Sequence, residues 1–353
     1  MQAAYRVIGT MSGTSLDGLD LALCTFTYNE DKWLYTIERA KTYPHSNEWK
    51  HKLATAETMS GLDLTNLHNE FGIYTGKLIN DFLKDEKQSI DFIASHGHTT
   101  FHQPHIGLTL QIGNGAHIAA TTGINTICDF RSLDVALGGQ GAPLVPIGDK
   151  LLFYDYDYCL NLGGFANISF DRDGVRMAYD ICPVNIVVNH LVKERSLSYD
   201  PEGSIGSTGA LNDSLLTSLN SLPFYQNKGP KSLGKEWVLE NILPLIDKYP
   251  IQLEDKLRTF YEHIAIQLTN AFSSGKNKKV LITGGGAYNT FLMGLMKGKT
   301  EAAINIPNPD IIEFKEALIF AFLGVLRYRN EMNCLKSVTG ASRDNSGGII
   351  YKA

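Results

Sequence analysis

The chain has 353 residues, a formal net charge of -5 and an apolar fraction of 43%. This length accommodates two domains of ordinary size, and the composition is that of a globular protein. The negative charge argues against nucleic acid as the main partner, and no apolar run approaches the roughly 18 residues of a membrane-spanning helix.

The cysteines favour a reducing compartment. The sequence contains five of them, which are Cys24, Cys128, Cys159, Cys182 and Cys334. They are odd in number and form no C-x-x-C pair, which is typical of neither a disulfide framework nor a zinc ribbon. The N-terminus also lacks the pattern of a secretory signal. We therefore expect a cytoplasmic enzyme with no membrane partner.

Apolar periodicity predicts a mixed α/β first half. Its elements in chain order are strands 5–8, 19–26 and 33–40, a helical stretch 48–84, a strand 91–95 with a turn at 96–99, a strand 109–112, a helix 116–122 and a strand 125–128. Residues 129–146 are rich in glycine and proline and lack alternation, which predicts a hinge. The predicted domains are therefore 1–145 and 146–353.

The second half repeats the plan of the first, which indicates a diverged duplication. It begins with strands 156–161, 165–170 and 175–179, continues with helices 184–194, 211–219, 237–246 and 253–272, and ends with a strand 279–283, a helix from about 288, a strand 302–306 and a helix 315–330. The last helices could pack back on the N-terminal domain.

A polar, glycine-rich stretch, G-T-M-S-G-T-S-L-D-G-L-D, separates the first two predicted strands. It is either a plain hairpin turn or a phosphate-binding turn, because glycines allow backbone N–H groups to approach an anion and hydroxyls add donors. It is not a Walker A loop, since Leu19 and Asp20 stand where Lys and Ser/Thr are required. No helix follows, so a phosphate here would bind between strands.

Two further glycine turns, Gly163–Gly164 and Gly284–Gly286, also follow predicted strands. A nucleotide could place its phosphates on the first two turns and its adenosine near the third. Asp17 and Asp20 are candidate Mg²⁺ ligands, acting through water, with Asp17 preferred. The alternatives are an ordinary turn aspartate and an exposed strand residue.

Asp180 is the candidate proton acceptor, because it ends a predicted strand and precedes a predicted helix. In that position a carboxylate stays ionised and can act as a base, although it could equally serve as a helix N-cap. Cys182 could be an activated thiolate, but no neighbouring pattern supports this, and a packed cysteine is the commoner case.

A histidine-rich segment could hold a metal or contact a hydroxylated ligand. Its histidines are His96, His98, His102 and His105. Their spacing matches no standard zinc signature, and no acid or cysteine lies close in sequence. Contact with a hydroxylated ligand is therefore the favoured interpretation.

Taken together, these motifs resemble the anhydro-N-acetylmuramic acid kinase family of the sugar kinase, heat-shock chaperone and actin superfamily, almost end to end. The matching stretches are M-S-G-T-S-L-D-G-L-D, Ser95–Gly97, Gln111–Gly113, Asp129–Arg131, G-G-Q-G-A-P-L-V-P from Gly138, N-L-G-G-F-A-N from Asn161, Gly284–Ala287, E-A-L-I-F-A from Glu316 and Thr339–Ala341.

The resemblance implies a two-domain actin-like ATPase fold, each domain a mixed sheet flanked by helices in a ribonuclease H-like duplication. It implies ATP and Mg²⁺ as cofactors, Asp17 as the metal-binding residue and a homodimer. The implied ATP-binding residues are Gly13, Thr14, Ser15, Leu16, Asp17, Gly18, Leu19, Asp20, Asn161, Gly163, Gly164, Asn167, Gly284, Gly285 and Gly286. The first hairpin and part of the sugar site would lie in the N-terminal domain, and the second turn, the catalytic aspartate and the adenosine site in the C-terminal domain.

The resemblance also implies the reaction. Asp180 would be the base that activates water to attack the anomeric carbon of 1,6-anhydro-N-acetylmuramic acid, and the freed six-position oxygen would take the γ-phosphate of ATP. The expected sugar contacts are His96, Thr99, Arg131 and Glu316, with Arg131 as the bidentate partner of the lactyl carboxylate.

Two stretches depart from the family pattern. Ile181-Cys182-Pro183-Val184-Asn185 replaces the usual T-G-P-G-N, which puts a close backbone approach to the sugar in doubt, and S-H-G-H-T replaces S-H-G-Q-T. Neither change removes a catalytic group, so we expect an active kinase. Another sugar kinase of the superfamily and an actin- or chaperone-like ATP-driven switch are the alternatives.

Overall fold

The computed structural model describes residues 4–227, 230–272 and 276–353. The chain divides into two compact units, which are Met1–Leu152 with Phe314–Ala353 (unit 1) and Phe153–Glu313 (unit 2). No helix within the described residues is both long and apolar enough to cross a membrane.

The strands of the described residues alternate with helices through most of the chain. The strands are β1 (Ala4–Ser12), β2 (Gly18–Asn29), β3 (Lys32–Pro44), β4 (Phe92–Gln103), β5 (Leu108–Ile112), β6 (Thr126–Cys128), β7 (Tyr158–Leu162), β8 (Phe165–Arg172), β9 (Val175–Pro183), β10 (Lys279–Thr283), β11 (Ala303–Asn305) and β12 (Ile349–Tyr351).

The α-helices are α1 (Asn47–Thr55), α2 (Gly61–Phe82), α3 (Gly115–Thr122), α4 (Ser132–Ala136), α5 (Val145–Leu152), α6 (Asn185–Leu191), α7 (Asp213–Asn220), α8 (Pro223–Gln226), α9 (Lys235–Trp237), α10 (Leu243–Asp247), α11 (Leu253–Ala271), α12 (Thr290–Lys297), α13 (Pro309–Tyr328) and α14 (Lys336–Thr339). The predicted helical stretch 48–84 is thus two helices. The hydroxyls of Ser46 and Ser60 accept the backbone N–H of Trp49 and Asp63 and so start each helix.

The sheet of unit 1 has the order β3–β2–β1–β4–β6–β12, and β5 pairs with β4. Strands β1 to β3 form an antiparallel meander, and β4 and β6 continue from β1 in parallel. Val7 and Ile8 in β1 are fully buried, as expected for a central strand that is covered on both faces.

The sheet of unit 2 has the order β9–β8–β7–β10–β11. Strands β7 to β9 form an antiparallel meander, and β10 and β11 continue from β7 in parallel. The strand order and the strand directions therefore repeat those of β3–β2–β1–β4–β6 in the sheet of unit 1. This repetition confirms the predicted α/β fold of two mixed sheets related by duplication.

The C-terminal segment belongs to unit 1, so that unit is discontinuous, whereas the predicted domains were the continuous ranges 1–145 and 146–353. Helix α13 approaches β1 and β4 closely. A Cβ at Gly9 would lie 1.9 Å from the Ala317 carbonyl oxygen, and one at Gly324 would lie 2.7 Å from the Cβ of Ala94. These two glycines permit the contact, and β12 then pairs with β6 at the sheet edge.

The predicted hinge over 129–146 is wrong, because the segment is packed within unit 1. It contains α4 and the start of α5, and Asp134 in it is fully buried. The Asp134 carboxylate accepts hydrogen bonds from the Gly141 N–H (2.8 Å), the Thr339 hydroxyl (2.9 Å) and the Asn345 amide (2.8 Å). The glycines serve turns around this carboxylate, which is why their composition imitates a linker.

The predicted turn at 96–99 is also wrong, because β4 continues through it to Gln103. The ladder between β1 and β4 shifts register between Thr10 and Ser12, and Gly97 has a φ of 77°. A bulge therefore absorbs the irregularity that the sequence suggested, and the strand goes on because β1 and β5 pair with it.

Candidate active site

The first glycine-rich loop, residues 13–17, connects β1 to β2. Thr14, Ser15 and Asp17 are exposed, and Leu16 has a φ of 61°. The Leu16 N–H donates to the Gly13 carbonyl at 3.2 Å, which closes a tight turn. The loop thus presents two hydroxyls and one carboxylate to solvent.

The next three predicted ATP-binding residues lie inside β2. A Cβ at Gly18 would meet the Tyr43 carbonyl oxygen at 2.5 Å, so glycine is required there by strand packing. Leu19 is 1% exposed and packs in the core. The Asp20 carboxylate accepts the Thr42 hydroxyl at 2.5 Å. Gly18 and Leu19 therefore have structural roles beneath the loop.

His96 and Arg131 form a buried polar pair in unit 1. The Arg131 Nε and Nη2 lie 3.1 and 2.9 Å from His96 Nε2, and Nη1 donates to the Gly141 carbonyl at 2.7 Å. His96 Nδ1 lies 3.0 Å from the Gly97 carbonyl, which assigns its proton to Nδ1. These contacts use three of the five guanidinium N–H groups and leave one on each terminal nitrogen for a ligand.

Burial shifts the pKa values of both side chains in this pair. Burial and the neighbouring guanidinium hold the pKa of His96 well below its usual value, so its ring is neutral. Burial lowers the pKa of Arg131 to about 10, and the Glu316 carboxylate opposes that shift. Arg131 remains cationic at neutral pH.

Glu316 on α13 and Thr99 on β4 complete the predicted sugar contacts of unit 1. Desolvation by the surrounding protein atoms raises the pKa of Glu316. The Asp20 carboxylate raises this pKa further, and the Arg131 guanidinium opposes the shift. Thr99 is half-buried, and its hydroxyl is 3.5 Å from the Gln111 amide. The predicted contacts Arg131 and Glu316 are thus electrostatic neighbours, whereas Thr99 lies on the β4–β5 ladder.

Four polar residues form a row across the sheet of unit 2. Thr283 on β10 pairs with Asn161 on β7, Asn161 with Asn167 on β8, and Asn167 with Asp180 on β9. Directly paired residues of neighbouring strands project from the same face of a sheet. Three residues that the sequence predicted separately are therefore brought together.

Asp180 lies within β9 and not at a helix start. The strand runs to Pro183, and the pairing skips Ile181, which is the extra residue of a bulge beside Asp180. Helix α6 begins only at Asn185, so Asp180 is not its N-cap. A bulge at this point aims the carboxylate, as bulges next to active sites commonly do.

The Asp180 carboxylate is held through one oxygen. The Leu233 N–H donates to Oδ2 at 2.8 Å and the Ser232 hydroxyl at 3.3 Å. Burial raises the pKa of Asp180, and these two hydrogen bonds oppose the shift. A raised pKa makes this carboxylate a stronger base than a solvated aspartate.

The second glycine turn, Gly163–Gly164, connects β7 and β8 and is held by backbone atoms. The Val184 N–H donates to the Gly164 carbonyl at 2.8 Å, and the Asn185 N–H to the Gly163 carbonyl at 3.3 Å. A Cβ at Gly164 would meet its nearest atom only at 3.8 Å, an ordinary van der Waals distance. The packing of the chain therefore does not require glycine at this position.

The third glycine turn follows β10 and borders a cavity of about 500 Å³ in unit 2. Gly285 and Gly286 line this cavity, and its polar side chains include Asn185, Asn189, Glu202 and Asn289. Gly284 stands apart, because its φ is 80° and a Cβ there would lie 2.7 Å from Asn161 Oδ1. The cavity volume lies within the range of small-molecule sites.

No group of three or more histidine, cysteine or acidic side chains in the described part of the chain is placed to hold a metal. Within the histidine-rich segment, His96 pairs with Arg131, and His102 Nδ1 lies 3.1 Å from the Thr109 hydroxyl. Cys182 is fully buried, and burial raises the pKa of its thiol, which removes the thiolate alternative.

The comparisons with known proteins cover nearly the whole chain. A family model described as anhydro-N-acetylmuramic acid kinase matches residues 5–353. An anhydro-N-acetylmuramic acid kinase from Mannheimia succiniciproducens is 33% identical and covers 98% of each chain. One from Aliivibrio fischeri is 34% identical and covers 99% of each chain.

The chain belongs to the anhydro-N-acetylmuramic acid kinase family. Among solved structures, component A of the (R)-2-hydroxyglutaryl-CoA dehydratase from Acidaminococcus fermentans is similar with a TM-score of 0.44 at 11% identity, over 90% of this chain and 96% of that one.

Two distant motifs that resemble the anhydro-N-acetylmuramic acid kinase family meet in unit 1. The Gln140 N–H of the G-G-Q-G-A-P block donates to the Thr339 carbonyl at 2.8 Å. In unit 2, the residues that depart from the family pattern, Ile181, Cys182 and Val184, are 4%, 0% and 1% exposed. Their side chains are core residues and do not line the row that contains Asp180.

Several residues of the site were missed from the sequence. Ser232 and Leu233 hold Asp180 but lie more than 50 positions away in an unpatterned segment. Asn189 and Glu202 border the 500 Å³ cavity without any motif around them. Asn185 was visible in the sequence as part of the stretch after Asp180, and its amide donates to the Leu162 carbonyl at 3.4 Å.

Proposed function

We propose that the protein is an ATP-dependent kinase that opens the 1,6-anhydro ring of anhydro-N-acetylmuramic acid with water and phosphorylates the six-position oxygen. The product is N-acetylmuramic acid 6-phosphate, an intermediate of cell-wall sugar recycling and amino-sugar catabolism. The observation that carries the proposal is the row Asn161–Asn167–Asp180. In this row the hydrogen-bonded Asp180 carboxylate lies beside the two asparagines of the strands that flank the second glycine turn.

Several glycines support phosphate binding because neither their backbone conformation nor the packing around them requires glycine. Gly13, Gly163, Gly164 and Gly285 have no φ between +20° and +160°, and a Cβ on each would lie at least 3.6 Å from its nearest neighbouring atom. Neither backbone conformation nor packing therefore requires glycine at these positions. A phosphate that approaches the backbone closely accounts for them.

Asp180 acts as the base in this proposal. Its carboxylate accepts a proton from a water molecule, and the water oxygen bonds to the anomeric carbon of the sugar. The bond between that carbon and the six-position oxygen then breaks, and the freed oxygen takes the γ-phosphoryl group as ADP leaves. Because Ser232 and Leu233 occupy Oδ2, Oδ1 is the oxygen we assign to the water.

Arg131 binds the lactyl carboxylate in this proposal. The two N–H groups that its contacts leave over can donate to both oxygens of one carboxylate. His96 fixes the guanidinium plane, Glu316 lies near enough to interact with Arg131 electrostatically, and Thr99 adds a hydroxyl. These residues select an anionic sugar over a neutral one.

The residues present suit Mg²⁺. Mg²⁺ in kinases is commonly held by one or two carboxylates together with substrate phosphates and waters, so a preformed cluster is not needed. Asp17, exposed in the first loop, would hold the ion through water, and Asp20 lies three residues on. The ion would neutralise charge on the phosphoryl oxygens.

We place the nucleoside of ATP in the 500 Å³ cavity beside Gly285 and Gly286. A cytoplasmic location agrees with the use of ATP and with five buried cysteines that form no disulfide. The homodimer implied by the family stays a prediction, which light scattering after gel filtration would test.

Release of ADP tests the proposal. The purified enzyme is given ATP and Mg²⁺ with the anhydro sugar, with N-acetylglucosamine or with no sugar. We expect release that depends on the anhydro sugar. Faster release with N-acetylglucosamine would favour an ordinary sugar kinase, and release independent of any sugar would favour an ATP-driven switch.

A further inference from the structure

A buried chain of polar side chains lies directly beneath the first glycine loop. The hydroxyl of Ser12, which is 1% exposed, lies 3.0 Å from His98 Nδ1 and 3.2 Å from His45 Nε2. His45 Nδ1 in turn lies 3.4 Å from the Tyr74 hydroxyl. The catalytic steps proposed above use none of these four residues.

These linked polar residues contact both ends of the first glycine loop. Ser12 is the last residue of β1 and directly precedes Gly13, where the loop begins. His45 binds Ser12 through its ring, and its backbone N–H donates to the Asp17 carbonyl at 3.2 Å, where the loop ends. One histidine therefore joins the two ends, and His98 holds Ser12 from the β4 side.

Aromatic rings surround the two histidines and keep water from replacing their partners. The Phe71 ring lies 6.1 Å from the rings of both His45 and His98. Tyr74 lies 5.9 Å from His45 and stacks on Trp49 at 4.4 Å. A polar group that loses its partner in such surroundings keeps the full cost of desolvation.

The hydrogen bonds between Ser12 and the two histidines form when both histidine rings are neutral. The Ser12 hydroxyl has one proton, so it donates to one ring and accepts from the other. Burial and the neighbouring His45 lower the pKa of His98 to about 4. Burial and Lys50 on α1 lower the pKa of His45, and Asp17 opposes that shift.

Two further titratable groups close to Ser12, His45 and His98 are His96 on β4 and Tyr74 on α2. His96 is itself neutral, as shown above, and burial raises the pKa of Tyr74. Both groups are uncharged at neutral pH, so neither favours protonation of His98, and both histidines stay neutral at physiological pH.

We propose that Ser12, His45 and His98 are positioning residues that fix the first loop in the shape that binds the phosphates of ATP. The inference rests on the proposed function, because it assigns the loop to ATP. It predicts that a break in the chain weakens the use of ATP and leaves the use of the sugar intact.

Replacement of His98 provides the main test. His98→Leu removes the hydrogen bond and is expected to raise the KM for ATP about tenfold, the size of one lost buried hydrogen bond. The kcat and the KM for the anhydro sugar should stay within about threefold. His98→Asn sets an amide where Nδ1 stood and should restore the KM for ATP.

A matched buried histidine controls for general destabilisation. His263 in unit 2 is fully buried, its Nδ1 lies 2.7 Å from Asn220 Oδ1, and its Nε2 lies 3.0 Å from the Tyr225 hydroxyl. His263→Leu should lower the melting temperature as His98→Leu does and leave the KM for ATP unchanged. An equal rise in KM in both variants would overturn the inference.

Ser12→Ala keeps the test open if His98→Leu fails to fold. It removes only the hydroxyl and should raise the KM for ATP to a similar extent; an unchanged KM would count against the inference. The pH profile adds a second measurement, since the wild-type KM for ATP should rise as the pH falls towards the His98 pKa of about 4. His98→Asn should lack that part of the rise, and an identical profile would contradict the inference.

The double variant Thr14→Ala, Ser15→Ala separates this inference from the proposed function. If this variant leaves the KM for ATP unchanged, the two loop hydroxyls do not bind phosphate, and that part of the proposed function fails. If it raises the KM and His98→Leu does not, only the positioning inference fails.

Discussion

The first and second glycine turns occupy the same place in two sheets of the same topology, yet they are fixed by different contacts. The first, residues 13–17, is five residues long; the His45 and His98 side chains hold its start through Ser12, and the His45 backbone N–H holds its end at Asp17. The second, Gly163–Gly164, is two residues long and is tied by backbone N–H groups at the start of α6.

This difference shows that duplicated topology sets where a turn lies but not what holds it. A turn tied by backbone atoms tolerates changes in the side chains below it and is sensitive to added atoms on its own surface. A turn tied by buried side chains is sensitive to their removal and to their protonation.

The largest effect is expected beside the second turn, at Asp180. Asp180→Asn keeps the shape, and its amide oxygen can still accept from the Leu233 N–H and the Ser232 hydroxyl, but the proposed base is lost. We expect kcat to fall by about 10²–10⁴, as for other general bases, while ATP still binds. Single-turnover kinetics and ATP titration would measure this. A variant that retained wild-type turnover would show that Asp180 is not the base.

Acid should weaken the side-chain-tied turn and leave the backbone-tied turn unaffected. The pKa of His98 is lowered from 6.5 to about 4, so the folded chain binds fewer protons than the unfolded chain between these values. The free energy of unfolding should therefore be highest above pH 6.5 and fall by about 3 kcal/mol towards pH 4 from this group.

His263, whose pKa burial lowers to about 3, adds a loss in the same direction. Denaturant titrations from pH 4 to 7 would measure the total. His98→Asn should show a smaller loss than wild type, and an unchanged pH dependence would contradict the account of this histidine.

The glycines of unit 2 should separate into two classes. Gly164→Ala should fold normally, because the nearest protein atom to the added methyl lies 3.8 Å away, and should raise the KM for ATP about tenfold if the nucleotide binds there as proposed. Gly284→Ala should cost about 1–3 kcal/mol of stability, because its φ of 80° strains any other residue. Melting curves and KM values would distinguish them; a destabilised Gly164→Ala would show that the chain itself needs that glycine.

The smallest effect is expected at Tyr74, the outermost of the four linked side chains beneath the first loop. The Tyr74 hydroxyl lies 3.4 Å from His45 Nδ1, a long contact. Tyr74→Phe should therefore raise the KM for ATP by less than about threefold, well below the effect of Ser12→Ala. A rise as large as that of Ser12→Ala would show that Tyr74 matters as much as the centre of the chain.

Local patterns predicted what local residues decide. Alternation predicted both meanders, and glycine after a strand predicted all three turns, because strand period and turn conformation depend on neighbours in sequence. The resemblance to a family then supplied the reaction, which no pattern alone could supply.

The expectation that the last helices could pack back on the N-terminal domain named none of the long-range contacts that hold them there. The return of Phe314–Ala353 to unit 1 depends on the contact between Gly9 and Ala317, more than 300 positions apart. The segment 129–146 was mistaken for a hinge because its glycines surround one buried carboxylate, Asp134, whose partners lie near the C-terminus. His45 carries no motif, so its role became visible only with its contacts.

The proposed reaction couples the addition of water to the sugar with phosphoryl transfer. The most direct test is the reaction in ¹⁸O-labelled water, followed by mass spectrometry of the products after a short incubation. We expect a sugar phosphate heavier than the substrate by one phosphoryl group and one water, with the label in the sugar and not in the phosphate. Label in inorganic phosphate, with the anhydro sugar left intact, would contradict it.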